Sequence, residues 1–146
     1  VLAFDHQITN VPIELEFFNG QQTTIIVETS PIETLFSEAD FITLHNTNSE
    51  DYVITASEIE KMKTGVGIIN VAKGGIINEV DLVNAIEKGK VQFAGLDVFE
   101  NAPKPAIQIL MNPELSLSPT IASSTIESKE NIDEELARKI VQLLGE

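Results

Sequence analysis

Six residues of this sequence stand where an apolar run gives way to polarity, and their types could bind or react: Asp5, Glu28, His45, Lys73, Asp97 and Thr120. In open α/β sheets ligands sit outside the carboxyl ends of the strands, so parallel strands would place these residues along one edge. Lys73 has the fullest setting, because it follows the run Ile68-Ile69-Asn70-Val71-Ala72 and precedes Gly74-Gly75. A cation and a glycine turn there could hold an anion by charge and by free backbone N–H groups ahead of the next helix. The same residues would equally make a βα turn whose glycines allow positive φ, with Lys73 in solvent. Asp5, after Val1-Leu2-Ala3-Phe4, has the placement of an acid that accepts hydrogen bonds from ribose hydroxyls, or of a turn former. The glycine fingerprint that should accompany such an acid is absent. Gly65-Val66-Gly67 precedes its strand, so it cannot form a phosphate-binding turn.

Other chemistries find less support. His6 and His45 have no second ligand at metal spacing, which argues against zinc. Ser123 or Ser124 could join His45 in a Ser-His-Asp site on composition alone, but no motif accompanies them. The chain has no cysteine, which removes disulfides, thiolate catalysis and cysteine-based metal sites together.

The elements that must position these residues follow from pattern and punctuation. Val1–Phe4 reads as a short strand ending at Asp5. Asn10-Val11-Pro12 reads as a helix start, with Ile13, Leu15 and Phe17 or Phe18 on the helix and Gly20 stopping it. Strands are expected at 24–27, 41–44, 68–71, 91–96 and 115–117. Capping-box patterns at Ser30-Pro31-Ile32-Glu33, Thr55-Ala56-Ser57-Glu58 and Ser124 to Glu127 open three helices. Asn78 opens a fourth, with Val80, Leu82, Val83 and Ile86 inward and Gly89 past its end. The stretch 46–52 reads as a loop, and Pro103, Pro105, Pro113 and Pro119 keep 100–119 irregular. The last helix carries Ile132, Leu136, Ile140 and Leu143 on one stripe. Strands alternating with helices predict an α/β fold, a three-layer open parallel sheet in one domain over residues 1–146.

Composition bounds the partners. Nine Lys and Arg against 23 Asp and Glu give a net charge of −14. Such a surface repels phosphate backbones, so no nucleic-acid partner is expected. No apolar run approaches the roughly 20 residues of a membrane span, so no membrane partner is expected and a cytoplasmic protein is. Only 5% of residues are aromatic, so Ile, Leu and Val must fill the interior.

Four segments carry a resemblance: Glu38-Ala39-Asp40-Phe41-Ile42-Thr43-Leu44-His45, Gly67-Ile68-Ile69-Asn70-Val71-Ala72-Lys73-Gly74-Gly75, Phe93-Ala94-Gly95-Leu96-Asp97-Val98-Phe99-Glu100 and Ser118-Pro119-Thr120-Ile121. In order and spacing they resemble the nucleotide-binding domain of the D-2-hydroxyacid dehydrogenases, the D-3-phosphoglycerate dehydrogenase branch above all. The resemblance implies a Rossmann-like sheet, NAD as the family's cofactor, and Asp5, His45, Lys73 and Asp97 as remnants of its binding edge. It also implies that the family's first strand, its G-x-G-x-x-G turn and its substrate domain lie outside this sequence.

The resemblance fails at the chemistry. The family places an arginine where Lys73 stands, and that planar fork grips a carboxylate as an ammonium cannot. It places a glutamate before proline where Ala102-Pro103 stands, and the proton-carrying histidine where Thr120 stands. Threonine does not titrate near neutral pH. Asn46-Thr47 and Ala122-Ser123 replace further family residues.

These departures lead to the expectation of a non-catalytic, truncated or engineered Rossmann-like domain that holds no cofactor. The alternatives are a fragment of an NAD-dependent dehydrogenase awaiting its missing parts, and an acidic protein-interaction module. Because the implied gap would leave two unpaired strand edges, the Val1 strand is expected to close beside the Phe41 strand in a flavodoxin-like order, 2-1-3-4-5-6. Otherwise two chains would form a homodimer through exposed or exchanged strands.

Overall fold

The computed structural model describes residues 1–46 and 51–145. Most of the loop expected at 46–52 therefore lies outside the described residues. Four strands, β3 (Phe41–Leu44), β4 (Val66–Asn70), β5 (Val91–Leu96) and β6 (Leu115–Leu117), form a parallel sheet in the order β3-β4-β5-β6. The connections carry α2 (Ala56–Lys61), α3 (Glu79–Glu87) and the single turn α4 (Ile107–Leu110), while α1 (Ile32–Glu38) precedes β3. The fold is α/β and Rossmann-like, as the alternation of strands and helices requires.

Strand order that always advances in one direction, with right-handed crossovers, puts successive helices on the same face. Accordingly α1 packs on α2, α2 on α3 and α3 on α4. The core lies between that layer and the sheet and is aliphatic. Ile54, Ile59, Ile68, Ile76, Leu82, Val91 and Ile109 are fully buried. On the other face Phe41, Ile69 and Phe93 are exposed, with the Phe41 and Phe93 rings 5.8 Å apart. Among the described residues the architecture has two layers, not the three expected, because no helix covers that second face.

The N-terminal quarter departs furthest from expectation. Val1–Phe4 is not a strand and does not pair beside β3, so the flavodoxin-like order does not form. The segment is tied down where Ser30 N donates to Ala3 O (2.7 Å). Residues 10–16 are not a helix. They are β1 (Asn10–Glu16), paired antiparallel with β2 (Gln22–Glu28) in a separate two-stranded sheet. The physical reason is periodicity: Val11, Ile13, Leu15 and Phe17 recur every second residue, which presents one apolar face of a strand and none of a helix. Pro12 is tolerated because both strands are edges.

Helix termini show a similar mixture. The Thr55 box forms: its hydroxyl accepts from Ser57 N and donates to Glu58 Oε2 (2.6 Å), which holds the Glu58 carboxyl down at about 2. The Ser30 box does not, because Ser30 N is engaged by Ala3 and Pro31 takes the cap position without a side-chain bond. The last helix, α5 (Ile126–Leu144), is capped by Thr125, one residue later than expected. On α3 the inward face runs Glu79, Leu82, Ala85 and Ile86. Val80 is 68% exposed, since the three-and-four spacing from Leu82 reaches back to Glu79. No helix is long and apolar enough to cross a membrane among the described residues.

Candidate site at the carboxyl edge of the parallel sheet

The edge is built by β4 and β5. At the end of β4 the buried Asn70 side chain accepts from Ala72 N (3.1 Å) and donates to Lys73 O (3.0 Å), curling 70–73 into a turn. Gly74 follows because nothing larger fits: a Cβ there would lie 1.9 Å from the carbonyl oxygen of Phe99. Gly75 has φ +84°, which glycine adopts freely.

At the end of β5, Asp97 is 4% exposed and organises the next turn. Oδ1 accepts from Ser118 Oγ (2.5 Å) and Ile121 N (2.9 Å), and Oδ2 accepts from Ala122 N (2.9 Å). Burial alone would raise this carboxyl, but the Ser118 hydroxyl and the two amides lower it further, so its pKa lies below the ordinary value. Backbone bonds join the two turns. Asp97 N donates to Asn70 O (3.0 Å), and Thr120 N donates to Asp97 O (2.8 Å).

Thr120 sits at the tip with φ +57°, the left-handed region that a β-branched residue rarely enters. Such a residue is strained by about 1–3 kcal/mol. Replacing Thr120 by glycine is therefore expected to stabilise the fold by about 1 kcal/mol after glycine's greater freedom in the unfolded chain is set against it. A thermal melt checks this: an increase of about 3 °C is expected, and an unchanged or lower midpoint would disprove the strain.

Behind these turns lies a support that periodicity does not reveal. Glu79, 6% exposed, accepts from Glu100 N through Oε1 (2.6 Å), and among the described residues Oε2 is buried without a partner. Burial raises its pKa against the opposing effect of that amide. The Tyr52 hydroxyl hydrogen-bonds the Glu100 carboxylate. Glu79, Gly74 and Tyr52 thus hold Phe99-Glu100, the segment that leads to Ala102, an exposed residue joined to Pro103 by a cis peptide bond. An acidic residue at the first position of a helix, in register with Leu82, is the one signal in the sequence that points to Glu79.

The sequence-predicted residues divide. Lys73, Asp97 and Thr120 come together on one edge. His45 follows β3, exposed, with Nε2 3.0 Å from Thr43 Oγ1. Glu28 ends a strand of the separate hairpin, so it is not on this edge. Asp5 ends no strand, because Val1–Phe4 does not form one; its carboxylate accepts from Gln7 N (2.7 Å) and Ile8 N (3.0 Å) in a local turn. His6 stacks edge-on against Phe4. Ser124 Oγ donates to Thr120 O, and neither it nor Ser123 hydrogen-bonds His45. No cluster of three His, Cys, Asp or Glu that could hold a metal occurs among the described residues.

A family profile described as "D-isomer specific 2-hydroxyacid dehydrogenase, NAD binding domain" matches residues 8–122. The chain belongs to this family. Its D-2-hydroxyacid dehydrogenase relatives include the hydroxypyruvate reductase of Thermotoga maritima, 42% identical over 130 residues, which are 85% of this chain and 42% of that protein. The D-3-phosphoglycerate dehydrogenase of Archaeoglobus fulgidus is 38% identical over 114 residues, 76% of this chain and 22% of the other. Among solved structures, a glyoxylate reductase from Paecilomyes thermophila superposes with TM-score 0.67 at 35% identity, covering 73% of this chain and 33% of that one. The chain thus spans less than half the length of these dehydrogenases.

Proposed function

We propose that this chain is the scaffold of a D-2-hydroxyacid dehydrogenase nucleotide-binding domain that performs no hydride transfer of its own. The observation that carries the reading is the residue presented by the Asp97 clamp. The turn from Ser118 to Ala122 is held by three hydrogen bonds to a buried carboxylate, yet its tip is Thr120. A threonine hydroxyl there neither takes nor returns a proton near neutral pH, and general acid–base catalysis contributes about 10² to 10⁴-fold. Lys73 and Ala102, in place of the arginine and glutamate implied by resemblance, support the same reading.

The residues present do not fit a dinucleotide. Asp5, the one acid placed for a ribose, is turned onto its own backbone. We therefore expect neither NAD nor NADP to be held by this chain alone. The lack of cysteine is consistent with a reducing, cytoplasmic compartment.

Two measurements test the proposal together. NADH and NADPH should keep their fluorescence and leave the melting temperature unchanged, and glyoxylate or hydroxypyruvate should not be reduced above the blank. Dinucleotide binding in the low micromolar range, or turnover abolished by Thr120→Ala, would overturn it.

A second reading, a fragment that waits for a companion, is favoured by one observation. Among the described residues no strand pairs with the outer edge of β3, and a groove of about 490 Å³ separates Phe41–Thr43 from Val1 and Leu2. Mixing with a piece that supplies a strand and a substrate domain, then assaying hydroxyacid oxidation, distinguishes the two. Thr120 argues for no turnover even then.

A further inference from the structure

Asn19-Gly20, at the tip of the β1–β2 hairpin, takes no part in the edge just described. Of the asparagines in the sequence, Asn19 alone is followed by glycine. The tip is a three-residue loop, closed where Phe17 N donates to Gln21 O and Gly20 N donates to Phe17 O (2.8 Å each). Both Asn19 and Gly20 are exposed, and a Cβ built on Gly20, whose φ is +78°, would meet nothing within 4 Å. No side chain on residue 20 shields its nitrogen, so the backbone there can be approached closely.

The Asn19 amide is both oriented and polarised. Its Oδ1 accepts from Gln21 N (3.1 Å), and its Nδ2 donates to Gln21 Oε1 (3.0 Å). These two bonds turn the amide toward the peptide that follows it. The Gln21 N–H also lies where negative charge would develop if the amide carbon were attacked. A well-oriented internal nucleophile acts as if present at about 10⁵–10⁸ M, which no external amine can match.

We propose that Asn19 is a site of spontaneous deamidation, in which Gly20 N attacks Asn19 Cγ. A new N–C bond closes a succinimide ring, the Cγ–Nδ2 bond breaks, and ammonia leaves with the proton that Gly20 N gives up. Water, the one outside reactant, then opens the ring. Attack at Cγ leaves an aspartyl residue, whereas attack at the main-chain carbonyl leaves an isoaspartyl residue with one more carbon in the backbone. Nothing is oxidised or reduced, and the net charge passes from −14 to −15. The step requires the Gly20 N–Phe17 O bond to open. A separate two-stranded hairpin permits this, because its tip frays without disturbing the parallel sheet. The change is one-way, and the isoaspartyl backbone no longer fits the three-residue loop, so the pairing of β1 with β2 loosens.

Mass spectrometry of the full chain aged in neutral buffer tests the inference. A glutamyl endopeptidase releases residues 17–28, in which Asn19 is the sole asparagine, and residues 1–14, which contain Asn10 ahead of Val11. The first peptide should gain one mass unit at position 19 and split into aspartyl and isoaspartyl forms, and the second should not change. Gly20→Ala should slow the change at least about tenfold. Its strained φ loosens the loop and by itself would hasten opening, so slowing can come only from the methyl group beside the attacking nitrogen. Asn19→Gln, which would need a larger ring, should stop the change. The rate should also rise from pH 7 to pH 9, because Gly20 N must lose its proton. An unmodified 17–28 segment, after an interval in which the excised peptide converts completely, would overturn the proposal, as would a rate indifferent to Gly20→Ala or to pH. Amide exchange should quicken over β1 and β2 of the aged chain with β4 and β5 unchanged; no difference would overturn the loosened pairing. None of these results depends on whether the chain binds a dinucleotide.

Discussion

Asp97→Ala is expected to lower the unfolding free energy by about 3–5 kcal/mol, the largest loss predicted for any side chain at the sheet edge. The carboxylate is buried and is the shared acceptor for Ser118 Oγ, Ile121 N and Ala122 N. Truncation leaves two amides and a hydroxyl without their partner, and each bond to a charged acceptor is worth about 1.5–3 kcal/mol. Asn is no remedy, because its amide would point a donor at the donor of Ala122. Ser118→Ala, which removes one bond of the three, provides the graded comparison at about 1–2 kcal/mol. Acid should reproduce the loss. A carboxyl whose pKa is lowered in the folded state contributes stability above its unfolded value, about 3.9, and that contribution disappears as pH falls from there toward the folded value. Urea midpoints of the three proteins at pH 7 and pH 3 check both parts. An Asp97→Ala protein within 0.5 kcal/mol of the parent, on the order of measurement error, would remove the clamp from consideration.

Gly74→Ala is expected to destabilise by about 3 kcal/mol or more. A methyl group is a small addition, and overpacking usually costs about 1–3 kcal/mol. Here the obstacle is backbone: the added carbon would sit 1.9 Å from Phe99 O and 2.5 Å from Phe99 C. Phe99 cannot withdraw easily, because the next amide, Glu100 N, is held by Glu79 (2.6 Å). Gly75→Ala is the informative control. It meets nothing within 4 Å and carries only the penalty of φ +84°, about 1–2 kcal/mol. Equal midpoints for the two variants would mean that the Phe99 segment yields and is not held as described.

Much of the parallel sheet is legible in the residues, since short, largely apolar runs bounded by caps, glycines and prolines mark β3 to β6, and Thr55 and Asn78 cap their helices as their side chains imply. Strand ends are equally legible, which is why Lys73, Asp97 and Thr120 fall on one edge as their positions after apolar runs require. The illegible part is tertiary. At Asn10-Val11-Pro12 a local helix-start signal competes with the two-residue period that follows it, and the period prevails. Val1–Phe4 has strand composition, yet a strand exists only if an edge accepts it, and here its Ala3 carbonyl bonds Ser30 instead. Val80 reads as inward because it is apolar, whereas the face of α3 is set by Leu82 and carries an acid. The Gly74–Phe99 approach leaves no trace in local sequence, and the Glu79–Glu100 bond leaves only an acid on the inward face of α3, because each joins residues more than 20 apart.

The bond from Asp97 N to Asn70 O continues the parallel ladder at the end of β4 and β5, and the bond from Thr120 N to Asp97 O ties the following turn to it, one residue out of the β5–β6 register. Stiffness in a sheet resides in such cross-links, so the two turns inherit rigidity from the strands that end in them. Displacing one tip means shearing the other. The location of the group at position 120 is therefore a mechanical property of the sheet and independent of the group itself, which leaves substitution at the tip free to change chemistry while its coordinates stay fixed.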